Sequence, residues 1–83
     1  MAHKILAASP QGVAYRRGIR AGDSLIAING EPILDEVDYQ ALTNKTRLDV
    51  LIEHPDGTRA TVRIIKARKM PLGLEMEIGR AHV

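Results

Sequence analysis

Apolar and polar residues alternate most cleanly in the second half of the chain. Leu48, Val50 and Ile52 alternate with Asp49 and Glu53, and beyond Pro55-Asp56-Gly57 the residues Ala60, Val62 and Ile64 alternate with Arg59, Thr61 and Arg63. A period of two puts each set on one face of a strand, and the Pro-Asp-Gly turn between them predicts a hairpin. Ser24 to Ile28 is almost wholly apolar and ends at Asn29-Gly30, a tight-turn dipeptide, so a strand with both faces buried is expected there. Glu31-Pro32 is expected to stop regular pairing, because proline lacks the ladder donor, and Ile33-Leu34 to dip back toward the core.

Helices are predicted at two places. Lys4 to Ala8 reads as a first strand running into Ser9-Pro10, with Ser9 as cap and Pro10 at the first helical position. That helix would carry Val13, Ala14 and Arg17 for about two turns, before Gly18 at the left-handed position past its end. The second runs from Glu36 to Thr43 with Asp35 as cap, and turns Val37, Ala41 and, less regularly, Leu42 toward the sheet. Arg68-Lys69-Met70-Pro71 reads as a basic loop and Leu72 to Met76 as a last short strand. The expected fold class is α+β: a small, mostly antiparallel, partly open barrel or sandwich of about five strands with two short helices.

Eighty-three residues make one domain, and with neither Phe nor Trp its core must be built from Ile, Leu, Val and Ala. The absence of cysteine removes disulfides, thiolate nucleophiles and Cys-based zinc or iron-sulfur sites from these residues, and fits a cytoplasmic location. No apolar run suits a signal peptide or a membrane span. The formal charge of +2 is spread along the chain, and Arg16, Arg17 and Arg20 lack interleaved aromatics, so they read as a solvated helix end and nucleic acid is not an expected partner.

Catalytic chemistry finds no support. His3, His54 and His82 stand apart from one another and from carboxylate clusters, and read as surface histidines. Asp23 follows Gly22 in a turn where its carboxylate would take local backbone donors. Glu36 and Asp38 lie two apart on a helix and cannot act as an acid and base pair, and Ser9 and Ser24 have no histidine partner in a recognisable arrangement. The chain is therefore expected not to be an enzyme.

Taken in order, Ser9-Pro10, Ala14, Gly18-Ile19, Gly22-Asp23-Ser24-Leu25-Ile26 and Ile28-Asn29-Gly30 resemble a PDZ domain. The resemblance implies a module that binds an extended peptide C-terminus as an added strand and holds its carboxylate in a loop of backbone amides. The apolar-Gly-apolar pattern of that loop is matched by Leu72-Gly73-Leu74, after the hairpin instead of near the N-terminus, which implies a circularly permuted order. Arg68 and Lys69 just before it would favour an anion. The resemblance further implies that the peptide lies between residues 73–76, including Met76, and the second helix. Asp38 would then face the ligand's antepenultimate side chain, favouring a hydroxyl, amide or basic group, and Leu42 would line the pocket for its last one.

Residues Lys4 to Met76 also resemble, more particularly, the N-terminal PDZ-like module of bacterial radical-SAM-type iron-sulfur proteins that end in a domain of unknown function. In that case the groove would be filled by a segment of the same longer chain, and an iron-sulfur cluster and S-adenosylmethionine would belong to the parent, with no cofactor in this chain. Residues 1–77 are read as the domain. Residues 78–83 depart from the family and match read-through of a common short-read sequencing adapter, so they are read as a non-native tail of a truncated fragment.

Overall fold

A computed structural model describes residues 2–77; the suspected tail at 78–83 lies outside them. Six strands and two helices follow in the order β1 (His3–Ala8), α1 (Val13–Arg16), β2 (Ser24–Ile28), β3 (Glu31–Pro32), α2 (Glu36–Thr43), β4 (Arg47–Glu53), β5 (Arg59–Ile65) and β6 (Leu74–Met76). All strand pairs are antiparallel, and the sheet runs β5-β4-β2-β1-β6 without closing. The expected α+β class holds, with one strand more than the five anticipated.

The additional strand is β3. Glu31 and Pro32 pair with Ile28 and Ala27, where pairing was expected to stop. β1 occupies the Ser24–Leu25 end of the same side of β2 and β3 takes the other end, so the proline sits on a two-residue exposed edge where its missing donor costs nothing. Asn29 and Gly30 turn the chain with positive φ at both positions, 53° and 79°, as the favoured two-residue hairpin requires. Asn29 also ties β2 to β4: its backbone N–H donates to the Asp49 carbonyl, and its side-chain Oδ1 accepts from the Asp49 N–H, both at 2.8 Å.

The β4–β5 hairpin follows the alternation seen in the sequence. Leu48, Val50, Ile52 and Ile64 are buried, with Ala60 and Val62 packed against the same core. On the outer face Arg63 donates to Asp49 at 2.9 Å and Arg59 to Glu53 at 3.2 Å. The Arg63 bond holds the Asp49 carboxyl below the ordinary carboxylate range, although such exposed pairs add little stability.

The first helix differs from expectation. It is a single turn, capped by Gly12 without any side-chain bond. Ser9 instead closes the preceding turn through its carbonyl, which accepts from the Gly12 N–H at 2.8 Å. At its other end Gly18 N–H donates to Tyr15 O at 2.9 Å and Ile19 N–H to Ala14 O at 3.1 Å. With Gly18 at φ 100° this is a Schellman termination, which returns Ile19 to the core.

The second helix has the expected bounds and cap but not the expected face. Val37 is 75% exposed and Ala41 is also exposed, whereas Leu42 is buried and Tyr39 packs against the core. A spacing of four marks a face but does not say which way it turns. Here the cap and the preceding Ile33, which is fully buried, set the rotation.

Burial pushes the Tyr39 phenol up to about 12. The neutral phenol is therefore the form the fold favours, and its contribution is complete below the unfolded value near 10 and lost as pH rises from there toward 12. Between those limits stability should fall by on the order of 2 kcal/mol more in the native chain than in Tyr39→Phe, measured by urea denaturation across the alkaline range.

Candidate functional site

The C-terminal strand carries the candidate site, and its attachment depends on two glycines. Gly73 has φ 82°, and a Cβ there would stand 3.0 Å from the Gly12 Cα. A Cβ on Gly12 would in turn stand 2.9 Å from the Leu72 carbonyl oxygen and 3.2 Å from the Gly73 Cα. The two backbones meet with no room for a side chain on either. Across the contact Ser9 N–H donates to Gly73 O at 2.8 Å and Ala14 N–H to Leu72 O at 3.3 Å. Gly12 was not singled out in the sequence, since one glycine in a polar turn carries no signal of what will pack on it.

Leu72 is 2% exposed and serves as the apolar anchor of this loop. Regular pairing begins after it, at Leu74, two residues later than expected. β6 pairs with β1 through Leu74↔Ala8, Glu75↔Ala7 and Met76↔Ile5, with a register shift on β1 at Leu6. Leu74 and Met76 pack against the core cluster that holds Leu42 of α2, as Tyr39 of the same helix does. Strand and helix thus rest on one apolar floor, and no described strand covers the outer edge of β6.

At the start of β6, Arg68 and Lys69 join Gln40, Thr43 and Asn44 of the α2 terminus, with Met70 and Pro71, around a depression of about 280 Å³. Arg68 lies 3.4 Å from the Asn44 carbonyl oxygen, where a cation is favoured by the helix C-terminus. The residue that fixes this loop is Lys66, which the sequence did not distinguish from the other cations. It is 7% exposed, and its Nζ donates to Arg68 O at 2.8 Å and Ala67 O at 3.3 Å. Desolvation, followed by the Arg68 charge, lowers its pKa. On the other side of the loop a larger depression, of about 500 Å³, is lined by Val13, Arg16, Ile65, Lys66, Met70 and Pro71, among others.

Asp38 is committed at least in part to the helix itself. Its N–H donates to Asp35 Oδ1 at 2.9 Å while its own Oδ2 accepts from the Leu34 N–H at 3.1 Å, a reciprocal cap. Leu42 is 8% exposed, so it contributes more to the floor than to an open wall.

Two histidines read as surface residues are engaged. His54 Nδ1 lies 3.0 Å from Asp23 Oδ1, and the other oxygen of that buried carboxylate accepts from the Arg20 N–H at 3.0 Å, the local role expected of Asp23. His3 is 5% exposed, with its ring between two backbone carbonyls. Their partners are 31 and at least 30 residues away, beyond the reach of local spacing. Arg20 lies with its guanidinium 3.6 Å from the Tyr15 ring centroid, a cation-π contact that occupies one member of the arginine cluster. No group of three or more metal-ligating side chains occurs among the described residues.

A PDZ-domain family model matches residues 4–65, from the first strand to the end of the hairpin. The chain belongs to the PDZ-domain family. Members are in general non-catalytic modules that bind peptides, which is the class of function this fold carries. β6 lies beyond the matched segment. Comparison with curated proteins gives no match. No helix among the described residues is long and apolar enough to cross a membrane.

The glycine contact is open to a direct test. Gly12→Ala must displace backbone, not a flexible side chain, and should cost about 1–3 kcal/mol in urea denaturation. Amide exchange at Leu74 to Met76 should quicken more than in the β4–β5 hairpin, because β6 loses its footing first.

Proposed function

We propose that this PDZ domain binds the C-terminus of an extended peptide as a strand beside residues 73–76, against α2, with the carboxylate at Leu72-Gly73-Leu74. The observation that carries this reading is the position of β6: the last of the described strands, paired with β1 on one side and uncovered by them on the other. The same position supports a circularly permuted order, with the ligand strand supplied from the C-terminal side of the family match. Gly73, lacking a side chain, suits a loop whose amides turn toward an anion. Arg68 and Lys69 add positive potential at that end of the strand. Leu42, Leu74 and Met76 form the apolar floor for the ligand's last side chain. One oxygen of Asp38 is taken by Leu34, which leaves the other to receive a hydroxyl, amide or basic group of the antepenultimate residue.

Peptides with free C-termini should bind with micromolar dissociation constants, roughly 8 kcal/mol. Amidating the terminus, or reversing charge in Arg68→Glu with Lys69→Glu, should weaken binding about tenfold, read by fluorescence polarisation. Absence of binding across a broad C-terminal panel, or unchanged binding in Gly73→Asp, refutes the reading.

In a second reading the groove is filled by a segment of the same, longer chain, and the module positions a radical-SAM-type iron-sulfur enzyme. It is favoured by the loop and strand from Leu72 to Met76, paired with β1 where the resemblance to that family implies a final strand. The chain has no cysteine to hold a cluster, so its part there would be placement alone. A structure of the intact protein with an open groove far from the cluster domain would refute it.

A further inference from the structure

His3 lies on β1 opposite Leu25 of β2 and is 5% exposed. Its Nε2 is 2.6 Å from the Ile33 carbonyl oxygen, in the segment between β3 and α2. Its Nδ1 is 3.1 Å from the Glu77 carbonyl oxygen, immediately after β6. Both neighbours are acceptors only. A neutral imidazole has one N–H and one lone pair, so it can satisfy one carbonyl while its other nitrogen faces oxygen lone pairs; the imidazolium donates to both.

We infer that His3 is a proton-operated clamp on the end of β6: doubly protonated, it ties Glu77 and Ile33 together, and on losing a proton it releases Glu77. The shorter Ile33 bond keeps the remaining proton on Nε2, so the change is confined to the β6 side.

No side-chain charge offers a simpler account. Among the described residues no carboxylate oxygen lies within 4.0 Å of a His3 ring nitrogen. Lys4 is exposed on the opposite face of β1, and Glu75 and Glu77 are exposed on and after β6. On the helix side Asp35 and Asp38 are held in the cap, with Glu31 and Glu36 exposed. From the β2 end Asp23 is engaged by His54 and the Arg20 N–H.

The sign follows from proton counting. The clamped state holds a proton that the released state gives up, so the Glu77 contact is complete on the acid side and lost as pH rises through the imidazole titration. β6 has only three paired residues, and Met76 opposite Ile5 is the last of them. Loss of the next tie therefore loosens the strand from that end. If β6 receives peptide as proposed above, affinity should drop roughly threefold to tenfold over the same interval, about the worth of one hydrogen bond. That consequence rests on the peptide reading, whereas the clamp does not.

The test uses the full chain with His54→Asn and His82→Asn, leaving His3 as its one imidazole. Long-range nitrogen–proton NMR spectra from acid to mildly alkaline pH report the protonation of each ring nitrogen, and the Glu77 carbonyl and Met76 amide shifts report the strand end. The expected result is a ring protonated at both nitrogens on the acid side, with the Glu77 and Met76 resonances moving at the ring's own midpoint. In His3→Gln those resonances should no longer respond to pH while the β4–β5 hairpin signals stay in place. A ring that remains one neutral tautomer throughout, or that titrates without moving Glu77 and Met76, overturns the clamp. If His3→Gln does not fold, the ring titration decides alone. Absence of peptide binding at every pH would count against the peptide reading only, since the ring titration contains no peptide.

Discussion

The approach of Gly12 to Gly73 fixes how the loop before β6 is seated on the rest of this small fold. β6 has only three residues with which to pair, and it lies at the edge of the described sheet. It is held by a loop pressed onto the β1–α1 turn, where two backbones touch and the carbonyls of Leu72 and Gly73 receive the amides of Ala14 and Ser9. Burial of Leu72 supplies the apolar part of the attachment. The outer edge of β6 is uncovered by any described strand. The attachment of β6 thus depends on one contact.

The rest of the molecule supports that arrangement with few aromatic atoms. Branched aliphatic residues from β1, β2, β4, β5 and α2 fill one core, and Tyr39 is the one aromatic side chain packed against it. Polar groups that reach the interior are matched one by one: Lys66 with two carbonyls, Asp23 with His54 and a backbone amide, His3 with carbonyls on two separate segments. Each unmatched group would carry a desolvation penalty, so each acts as a positional tie between segments that apolar packing alone leaves free to slide.

The legible parts of the sequence were those decided by neighbours in the chain. The hairpin from Leu48 to Ile64, the Asn29-Gly30 turn, the cap at Asp35 and the glycine at Gly18 are set by strand alternation, by φ preference and by side chains reaching backbone a few residues away. The family was legible for the same reason, since its motif is a run of turns and apolar positions between Ser9 and Gly30. Where local signals are permissive, tertiary contacts decide. Ser9-Pro10 is a good helix start, yet the Ser9–Gly12 turn delays α1 to Val13, because Gly12 must lie against Gly73. Val37 and Ala41 define a helix face as well as Tyr39 and Leu42 do, and only packing chose between them.

Of the candidate site, the sequence by itself determined the glycine at position 73, its apolar flanks and the cations before it, because each expresses a residue's own chemistry. Tertiary structure alone decided that Gly73 needs Gly12, that Lys66 holds the loop carrying Arg68, that Asp38 spends an oxygen on its own helix, and that His3 bridges two distant carbonyls. Apart from the Asp38 cap, these pairings join segments far apart along the chain or turn on burial. Composition and periodicity do not encode which surfaces meet; the packing of sheet, helices and loops around one core decides it.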